Sequence, residues 1–167
     1  MIENILLIGF MGSGKSTIGK QLSKYLNRNF IDMDEEIEKT ENTSITSIFN
    51  EYGEEYFRKI ETKYLESLLD KNEAIISTGG GIVLKDYNRQ LLKKIGKVIF
   101  LHADVNHIVE NVKDDTKRPL LQTENYVKTI SELLESREDK YLSSADIIIQ
   151  TSGKDVDSIV EEIISLL

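Results

Sequence analysis

The chain has no cysteine and no tryptophan, and it has one proline and two histidines among its 167 residues. Without cysteine it can form no disulfide bond, no thiolate nucleophile and no cysteine-based zinc site. Its apolar runs stay short of the ~20 residues that a membrane helix requires, and no basic or cleavable leader is visible before the first predicted strand. We therefore expect a cytoplasmic protein without a membrane partner.

Basic residues are in the minority, with 21 Lys and Arg against 29 Asp and Glu and a net charge of −8. A nucleic-acid surface needs a basic stripe, so this balance argues against a nucleic-acid partner. With 40% apolar and 30% charged residues, the composition is typical of a globular chain that buries a core. We predict a single domain over residues 1–167 and expect a monomer.

Short apolar runs alternate with helical patterns, which predicts an α/β fold. We assign strands to residues 5–8, 29–32, 74–77, 98–101 and 147–149. Helices are predicted at 15–26, from 34 to about 70 with breaks near 42–43 and 52–53, and at 156–167. The alternation predicts a three-layer α/β/α sandwich around a five-stranded parallel sheet, whose ligands bind beyond the carboxyl ends of the strands.

A complete phosphate-binding pattern, Gly-x4-Gly-Lys-Ser, lies within residues 9–17 between the first predicted strand and helix. Glycines at its turns let N–H groups point at phosphate oxygens, and the following helix directs its positive end at the same anion. The lysine is placed to reach the β- and γ-phosphates, and the serine to bind Mg²⁺ directly. The predicted nucleotide-binding residues of this loop are Gly12, Ser13, Gly14, Lys15, Ser16 and Thr17.

The acceptor of the phosphoryl group is not defined by this loop. No Asn-Lys-x-Asp guanine-recognition motif follows it, so we expect ATP with Mg²⁺ as the co-substrate. Small-molecule and nucleoside monophosphate kinases remain, and we predict a fold of the P-loop nucleoside monophosphate kinase type with a mobile lid.

Two carboxylates, Asp32 and Asp34, follow the second predicted strand and open a helix. Asp32 is placed to hold a Mg²⁺-bound water, and Asp34 to orient and help deprotonate an acceptor hydroxyl. Because aspartate is a favoured helix N-cap, the alternative is that Asp34 only caps this helix.

Arginines are scarce, with five against sixteen lysines, although only arginine offers a planar fork to a carboxylate or phosphate. Arg58, Arg118 and Arg137 stand in distinctive settings. The alternative for Arg58 is a surface ion pair with Glu54, four residues before it. Arg118 lies in a polar segment, about 112–122, that has the character of a lid closing over phosphate, with a plain solvated loop as the alternative.

Three glycines, Gly79, Gly80 and Gly81, end the third predicted strand. Glycines in this position allow a ligand to approach the backbone closely, and a loose turn is the alternative. The two histidines have no partner motif, so we expect them to be structural or on the surface.

Taken together, these features resemble the shikimate kinase family over nearly the whole chain. The motifs that carry the resemblance follow one another in the family's order. They are the phosphate loop at 9–17, the Asp-x-Asp at 32–34, Gly-Glu-x-x-Phe-Arg-x-x-Glu at 53–61, Gly-Gly-Gly at 79–81, Arg-Pro-Leu-Leu at 118–121 and Arg-x-x-x-Tyr at 137–141.

The resemblance implies ATP-dependent phosphorylation of the 3-hydroxyl of shikimate, a step toward chorismate and the aromatic amino acids. It implies that Asp34, Arg58, Gly80 and Arg137 hold shikimate, with the two arginines on its carboxylate and Asp34 at the reacting hydroxyl. Arg118 would contact the ATP phosphates when the lid closes. The acceptor-binding segment would be a helical region at about 33–61, and the partners would be ATP and shikimate.

Three positions depart from the family pattern. Asn111 stands where an arginine near adenine is common, Asp139 replaces a proline in the late motif, and Lys154 occupies the place of an arginine or glutamine on the adenine side. Lys154 is on this ground a nucleotide-side residue. None of the three departures falls on an expected acceptor residue.

Two rival functions remain open at this point. A related small-molecule kinase, such as a gluconate kinase, shares the phosphate loop and also acts on a hydroxy-carboxylate. A nucleotide-binding regulatory module without catalysis is the second rival, but the joint presence of Lys15, Ser16, Asp34 and Arg118 argues against it.

Overall fold

The computed structural model describes residues 3–114 and 125–167. Its centre is a parallel sheet of five strands in the order β2-β3-β1-β4-β5. Successive side chains of a strand point to opposite faces of the sheet, so each interior strand of this sheet supplies apolar residues to both faces. The strands are β1 (Asn4–Ile8), β2 (Asn29–Asp32), β3 (Ala74–Ser77), β4 (Gly96–His102) and β5 (Ile147–Gln150).

Helices cover both faces of this sheet, which confirms the predicted three-layer architecture. The described helices are α1 (Lys15–Leu26), α2 (Met33–Glu41), α3 (Ile45–Ser67), α4 (Asp86–Ile95), α5 (Val105–Val112), α6 (Tyr126–Ser144) and α7 (Val156–Leu166), with a short 3-10 helix at Ile82–Leu84. None of these helices is both long and apolar enough to cross a membrane, as far as the chain is described.

Two apolar clusters hold the layers together. On one face Ile5 and Leu7 of β1 pack with α1 and α7, and on the other Leu6 and Ile8 pack with α4, α5 and α6. The alternation within β1 is what the period-2 geometry of a doubly covered strand requires. The central strand is therefore anchored on both sides, and the loop at its carboxyl end starts from a rigid support.

A third, smaller cluster holds the helical segment that the sequence assigns to the acceptor. Ile37 of α2 packs with Ile48 and Phe57 of α3, apart from the two clusters on the sheet. The segment bends where the sequence predicts, because Asn42 ends α2 in the left-handed conformation (φ 52°) and Gly53 breaks α3 at φ 84° and ψ 171°. Arg58 lies in the half of α3 that follows this kink.

Candidate functional site

A cavity of about 760 Å³ lies at the carboxyl end of the sheet, between the phosphate loop and helices α2 and α3. Ligands of open parallel sheets bind in this position. Most of the residues that the sequence predicts for the site line it, namely Gly12, Gly14, Lys15, Ser16, Thr17, Asp32, Asp34, Arg58, Gly79, Gly80, Gly81 and Arg137. Two substrates can therefore share one pocket.

The loop between β1 and α1 has the backbone of an anion cradle. Gly12 (φ 75°) and Gly14 (φ 90°) adopt the left-handed conformation, which L side chains rarely tolerate. Ser13 is buried, and its N–H donates to the carbonyl of Phe10 at 3.1 Å. Because α1 begins at Lys15, its first N–H groups and its positive dipole end face the pocket.

Lys15 lies against the loop that it would use to bind phosphate. Its side chain is buried, and Nζ donates to the carbonyls of Gly9 at 2.7 Å and Phe10 at 3.0 Å. These bonds offset part of the cost of removing an ammonium group from water. The ammonium is thus preplaced beside the cradle, where it can face the terminal phosphates of a bound nucleotide.

The two carboxylates of the Asp-x-Asp motif have different positions and partners. Oδ1 of Asp32 accepts the N–H groups of Asp34 at 3.1 Å and Glu35 at 3.2 Å, so Asp32 is the N-cap of α2. Its other oxygen, Oδ2, accepts the hydroxyl of Ser16 at 2.5 Å. The alternative that Asp34 only caps the helix is therefore wrong, since Asp32 occupies the cap and leaves Asp34 directed at the pocket.

Arg58 pairs with two carboxylates, and its guanidinium lies beside the glycine turn. Nη2 lies 3.2 Å from Oε1 of Glu54, and Nη1 lies 2.9 Å from Oε1 of Glu61. The pair with Glu54 that the alternative predicts is present, but the Arg58 side chain is only 11% exposed. A Cβ added to Gly81 would stand 2.3 Å from both Nη1 and Nη2, so only glycine lets the guanidinium lie flat on this turn.

Glu61 is a buried, charged site residue that sequence reasoning missed. It is 1% exposed, and burial raises the pKa of its carboxyl, although Arg58 and Arg137 oppose that change. A signal was present, because Glu61 stands four residues after Phe57 and four before Leu65, on the buried stripe of α3. A carboxylate in an apolar stripe is rarely buried unless it is paired.

Arg137 reaches the same glycine turn from α6. It is 4% exposed, and its guanidinium stands 5.6 Å from the ring centre of Phe10. A Cβ added to Gly80 would lie 3.8 Å from its Nη1. Arg58 and Arg137, from distant parts of the chain, therefore converge on Gly79–81.

Tyr141 ties α6 to that turn. Its hydroxyl donates to the carbonyl of Gly80 at 2.5 Å, and its ring stacks on Phe100 with centroids 5.0 Å apart. Burial raises the pKa of the Tyr141 hydroxyl to about 12, so it stays protonated and remains a donor. The Arg-x-x-x-Tyr motif at 137–141 thus contributes the hydrogen bond of Tyr141 to Gly80 as well as the charge of Arg137.

The three departures from the family pattern have different outcomes. Nδ2 of Asn111 donates to the carbonyl of Gly12 at 2.7 Å, which joins α5 to the phosphate loop. Asp139 continues α6 without a break. Lys154 pairs with Glu162 at 2.5 Å and is not among the residues that line the large cavity. Arg118 and the segment 115–122 of the predicted lid fall outside the described residues.

The histidines lie away from this pocket. His102 at the end of β4 contacts Oε1 of Gln150 at 2.7 Å and Oε1 of Glu138 at 2.8 Å, which bridges β5 and α6. The backbone N–H of His107 donates to Asp104 at 2.8 Å, as part of the N-cap of α5. The contacts of the His102 ring agree with a structural role, one of the two roles that the sequence predicts for the histidines.

The pocket has the chemistry of a two-substrate site for a hydroxy acid and a nucleoside triphosphate. The loop, Lys15 and the start of α1 form a positive half. Arg58 and Arg137 bring two guanidinium groups to the other half, where they are suited to bind a carboxylate. Asp34 lines the same cavity, where a carboxylate can accept a hydrogen bond from a hydroxyl.

Comparison with known proteins points to one family. The family model described as "Shikimate kinase" matches residues 11–167. A shikimate kinase of Thermodesulfovibrio yellowstonii is 44% identical over 163 residues, which is 98% of this chain and 94% of that protein. One of Francisella tularensis subsp. novicida is 43% identical over 166 residues, with 99% and 94% covered.

Solved structures agree with this result. A shikimate kinase of Acinetobacter baumannii in complex with shikimate superposes with a TM-score of 0.96 at 36% identity, covering 99% of this chain and 93% of that one. One of Aquifex aeolicus gives a TM-score of 0.82 at 40% identity, with 97% and 94% covered. A gluconokinase of Sinorhizobium meliloti, at 17% identity and a TM-score of 0.58, shares the fold alone.

Proposed function

The chain belongs to the shikimate kinase family, and we propose that the two halves of its pocket hold ATP and shikimate. The activity is transfer of the γ-phosphoryl group of ATP to the 3-hydroxyl of shikimate, which gives shikimate 3-phosphate and ADP on the route to chorismate and the aromatic amino acids. The observation that carries the assignment of the two halves is the convergence of Arg58 and Arg137 on one glycine turn, Gly79–81, in the same cavity as the phosphate loop.

The nucleotide half follows from the geometry of the loop. Backbone N–H groups of Gly12, Ser13 and Gly14 would bind phosphate oxygens, and Ser16 and Thr17 at the start of α1 would continue that contact. Phosphoryl transfer needs charge neutralisation and placement more than covalent help. Lys15 supplies a buried positive charge for that purpose, beside the place where the β- and γ-phosphates would lie.

The acceptor half would fix shikimate by its two ends. Arg58 and Arg137 would bind the carboxylate, and the glycine turn would let the ring approach the backbone. Asp34 would accept the hydrogen bond of the reacting hydroxyl and aim its oxygen at the γ-phosphate. The apolar side of the acceptor would meet Phe49 and Phe57, whose ring centroids lie 5.0 Å apart at the cavity wall.

Mg²⁺ would lie between the two halves. Ser16 would bind it directly and Asp32 through water, and both offer the oxygen ligands that Mg²⁺ prefers. Within residues 3–114 and 125–167, no group of three or more His, Cys, Asp or Glu side chains could hold a metal ion, which fits an ion held largely by phosphate oxygens and water. When bound, it neutralises charge on the β- and γ-phosphates.

Two further residues complete the nucleotide side of the proposal. Arg118, outside the described residues, would contact the ATP phosphates as the arginine of the lid. Lys154 would have to leave Glu162 before it could contact the nucleotide, and the family pattern alone supports that role. The protein would act as a monomer on small molecules in the cytoplasm.

The acceptor assignment has a direct test. Purified protein with MgATP should release ADP in proportion to added shikimate, as measured by coupling ADP formation to NADH oxidation. Gluconate and a reaction without acceptor serve as controls, and both should give only background. Turnover with gluconate but not with shikimate would refute the assignment.

Substitution of Gly81 by alanine tests the acceptor half without removing a charge. The backbone at Gly81 has φ −94°, so alanine is tolerated locally, but its Cβ would collide with the Arg58 guanidinium at 2.3 Å. Because a displacement of about 1 Å can cost up to ~10²-fold, we expect KM for shikimate to rise about 10- to 100-fold. Steady-state kinetics with each substrate varied in turn measure this change.

KM for ATP is the internal control for that variant. It should stay within about twofold, because Gly81 touches the arginine of the acceptor half and not the phosphate loop. An unchanged KM for shikimate would show that the Arg58 guanidinium does not bind the acceptor where we place it.

A further inference from the structure

Glu61 has one satisfied oxygen and one orphaned oxygen inside the acceptor half. Oε1 accepts the Arg58 guanidinium at 2.9 Å. Oε2 is buried and has no hydrogen-bond partner among the described residues. Buried carboxylate oxygens normally have partners because an unpaired one keeps most of its desolvation cost. The unpaired Oε2 of Glu61 therefore requires an explanation, and the phosphoryl transfer described above does not use this oxygen.

The charged groups around Glu61 come from three helices. Arg58 lies on the same helix, with the exposed Glu54 on the far side of its guanidinium. Asp34 faces Glu61 from α2, and Arg137 faces it from α6. Tyr141, also on α6, interacts electrostatically with Glu61. Oε2 of Glu61 and Oδ1 of Asp34 stand 2.9 and 3.0 Å from the same point beside Gly79, where a Cβ would be. Two carboxylates and two guanidiniums therefore lie beside the same glycine turn.

Binding of the acceptor changes this balance. The inference rests on the proposed function, in which a third carboxylate joins Arg58 and Arg137. Glu54 is 56% exposed, so its charge is screened by water and it can leave the guanidinium at little cost. Glu61 is buried and cannot leave, and like charges that are removed from water favour the protonated form of one partner. The enclosed site then holds the carboxylates of Glu61, Asp34 and the acceptor, but only two guanidinium groups.

We propose that binding of shikimate drives the uptake of one proton by Glu61. The proton comes from solvent and bonds to Oε2, and the new hydroxyl donates to Oδ1 of Asp34. Asp34 stays ionised, so it can still accept the hydrogen bond of the acceptor hydroxyl. Oε1 keeps its bond to Arg58. When the product leaves, Glu61 returns the proton to solvent.

The coupling between shikimate binding and protonation of Glu61 predicts the direction of the pH dependence. The carboxyl of Glu61 already has a raised pKa in the free protein, because burial disfavours its charge, and a bound carboxylate raises it further. Between these two pKa values binding takes up a proton, so the acceptor affinity falls as pH rises, by at most about tenfold per pH unit. The range lies above the ordinary glutamic acid pKa of about 4.3.

Titration calorimetry of shikimate into the full-length protein, without nucleotide, tests the proposal. At each pH we use two buffers that both buffer there and differ strongly in ionisation heat, such as PIPES and imidazole near neutral pH, so the difference between the two measured heats gives the protons taken up. Over about pH 5 to 8, we expect a positive uptake with a maximum that approaches one proton per shikimate. E61Q, which keeps the shape and removes the charge, should abolish it. E54Q, the exposed carboxylate on the same arginine, should retain it.

Each other outcome rejects the proposal. Uptake near zero in the wild-type protein across this range overturns it, as does uptake that persists in E61Q. Uptake that is retained in E61Q but lost in D34N would place the proton on Asp34 instead. If E61Q does not fold, as judged by thermal unfolding, a pH-independent wild-type Kd over the same range is sufficient to reject it. Absence of both shikimate binding and turnover would instead refute the proposed function.

Discussion

Substitution of Lys15 by methionine should lower kcat by about 10³-fold while leaving the fold intact. Methionine keeps most of the unbranched side chain and removes the ammonium group, so the change acts mainly on the electrostatic contribution. In a water-poor site, a preplaced cation or donor at the transferring group is worth about 10²- to 10³-fold. Lys15 combines a full charge with a fixed position, because Gly9 and Phe10 hold Nζ at 2.7 and 3.0 Å. Initial rates at saturating MgATP and shikimate measure the loss.

Lys24→Met is the matched control for this substitution. Lys24 lies in the last turn of the same helix and is exposed, so the change removes the same charge at the opposite end of α1. It should leave kcat within about twofold and cost only a weak interaction with the helix dipole. If Lys15→Met retains more than a tenth of the wild-type kcat, charge neutralisation at the phosphates does not depend on this lysine.

The strands could be predicted closely because they are short apolar runs between polar or glycine-rich boundaries. The predicted and observed limits of β2 and β3 coincide, and those of β1, β4 and β5 differ by one or two residues. Asn4 shows why the ends escape such a prediction. It is buried in β1, and its side-chain amide bonds to the backbone of Lys71, Ile95 and Ala74. Hydropathy cannot identify a buried polar residue whose partners come from other elements.

The breaks in the helical segment were also predictable, for a local reason. Asparagine and glycine are the residues that adopt positive φ at low cost, and Asn42 and Gly53 both do so. The order β2-β3-β1-β4-β5 has no such local signal. It depends on which strands find each other across crossover connections, and periodicity carries no information on that pairing.

In the candidate site too, local features could be predicted from the sequence and tertiary contacts could not. Motif spacing placed Lys15, Asp34, Arg58 and Arg137 on the correct elements, because each motif carries a local rule. The pairing of Glu61 with Arg58 is also local, at three residues. Its position beside Gly79 is a tertiary contact, as is the contact of Asn111 with Gly12. Sequence spacing could not supply these contacts, because they join residues that are distant in the chain.

Asp34→Asn should lower kcat/KM for shikimate by about 10²- to 10⁴-fold, which is the range for loss of a positioned general base. Asparagine keeps the size of the side chain and one oxygen acceptor, so shikimate should still enter the pocket. It cannot take the proton of the reacting hydroxyl, and its amide can present a donor to a hydroxyl that must itself donate. Steady-state kinetics with shikimate as the varied substrate measure the loss, and KM for ATP should stay near the wild-type value.

Glu36→Gln is the control that separates the catalytic effect of losing the Asp34 carboxylate from the effect of losing a negative charge near the N-terminus of α2. Both carboxylates lie in the first turn of that helix, where each interacts favourably with the dipole by about 0.3–1 kcal/mol. Glu36 pairs with Lys39 at 2.6 Å and does not line the cavity. The two variants should therefore lose similar, small amounts of unfolding free energy, whereas only Asp34→Asn should lose activity. Full activity in Asp34→Asn would eliminate it as the partner of the hydroxyl, and equal losses in both variants would assign the effect to the helix.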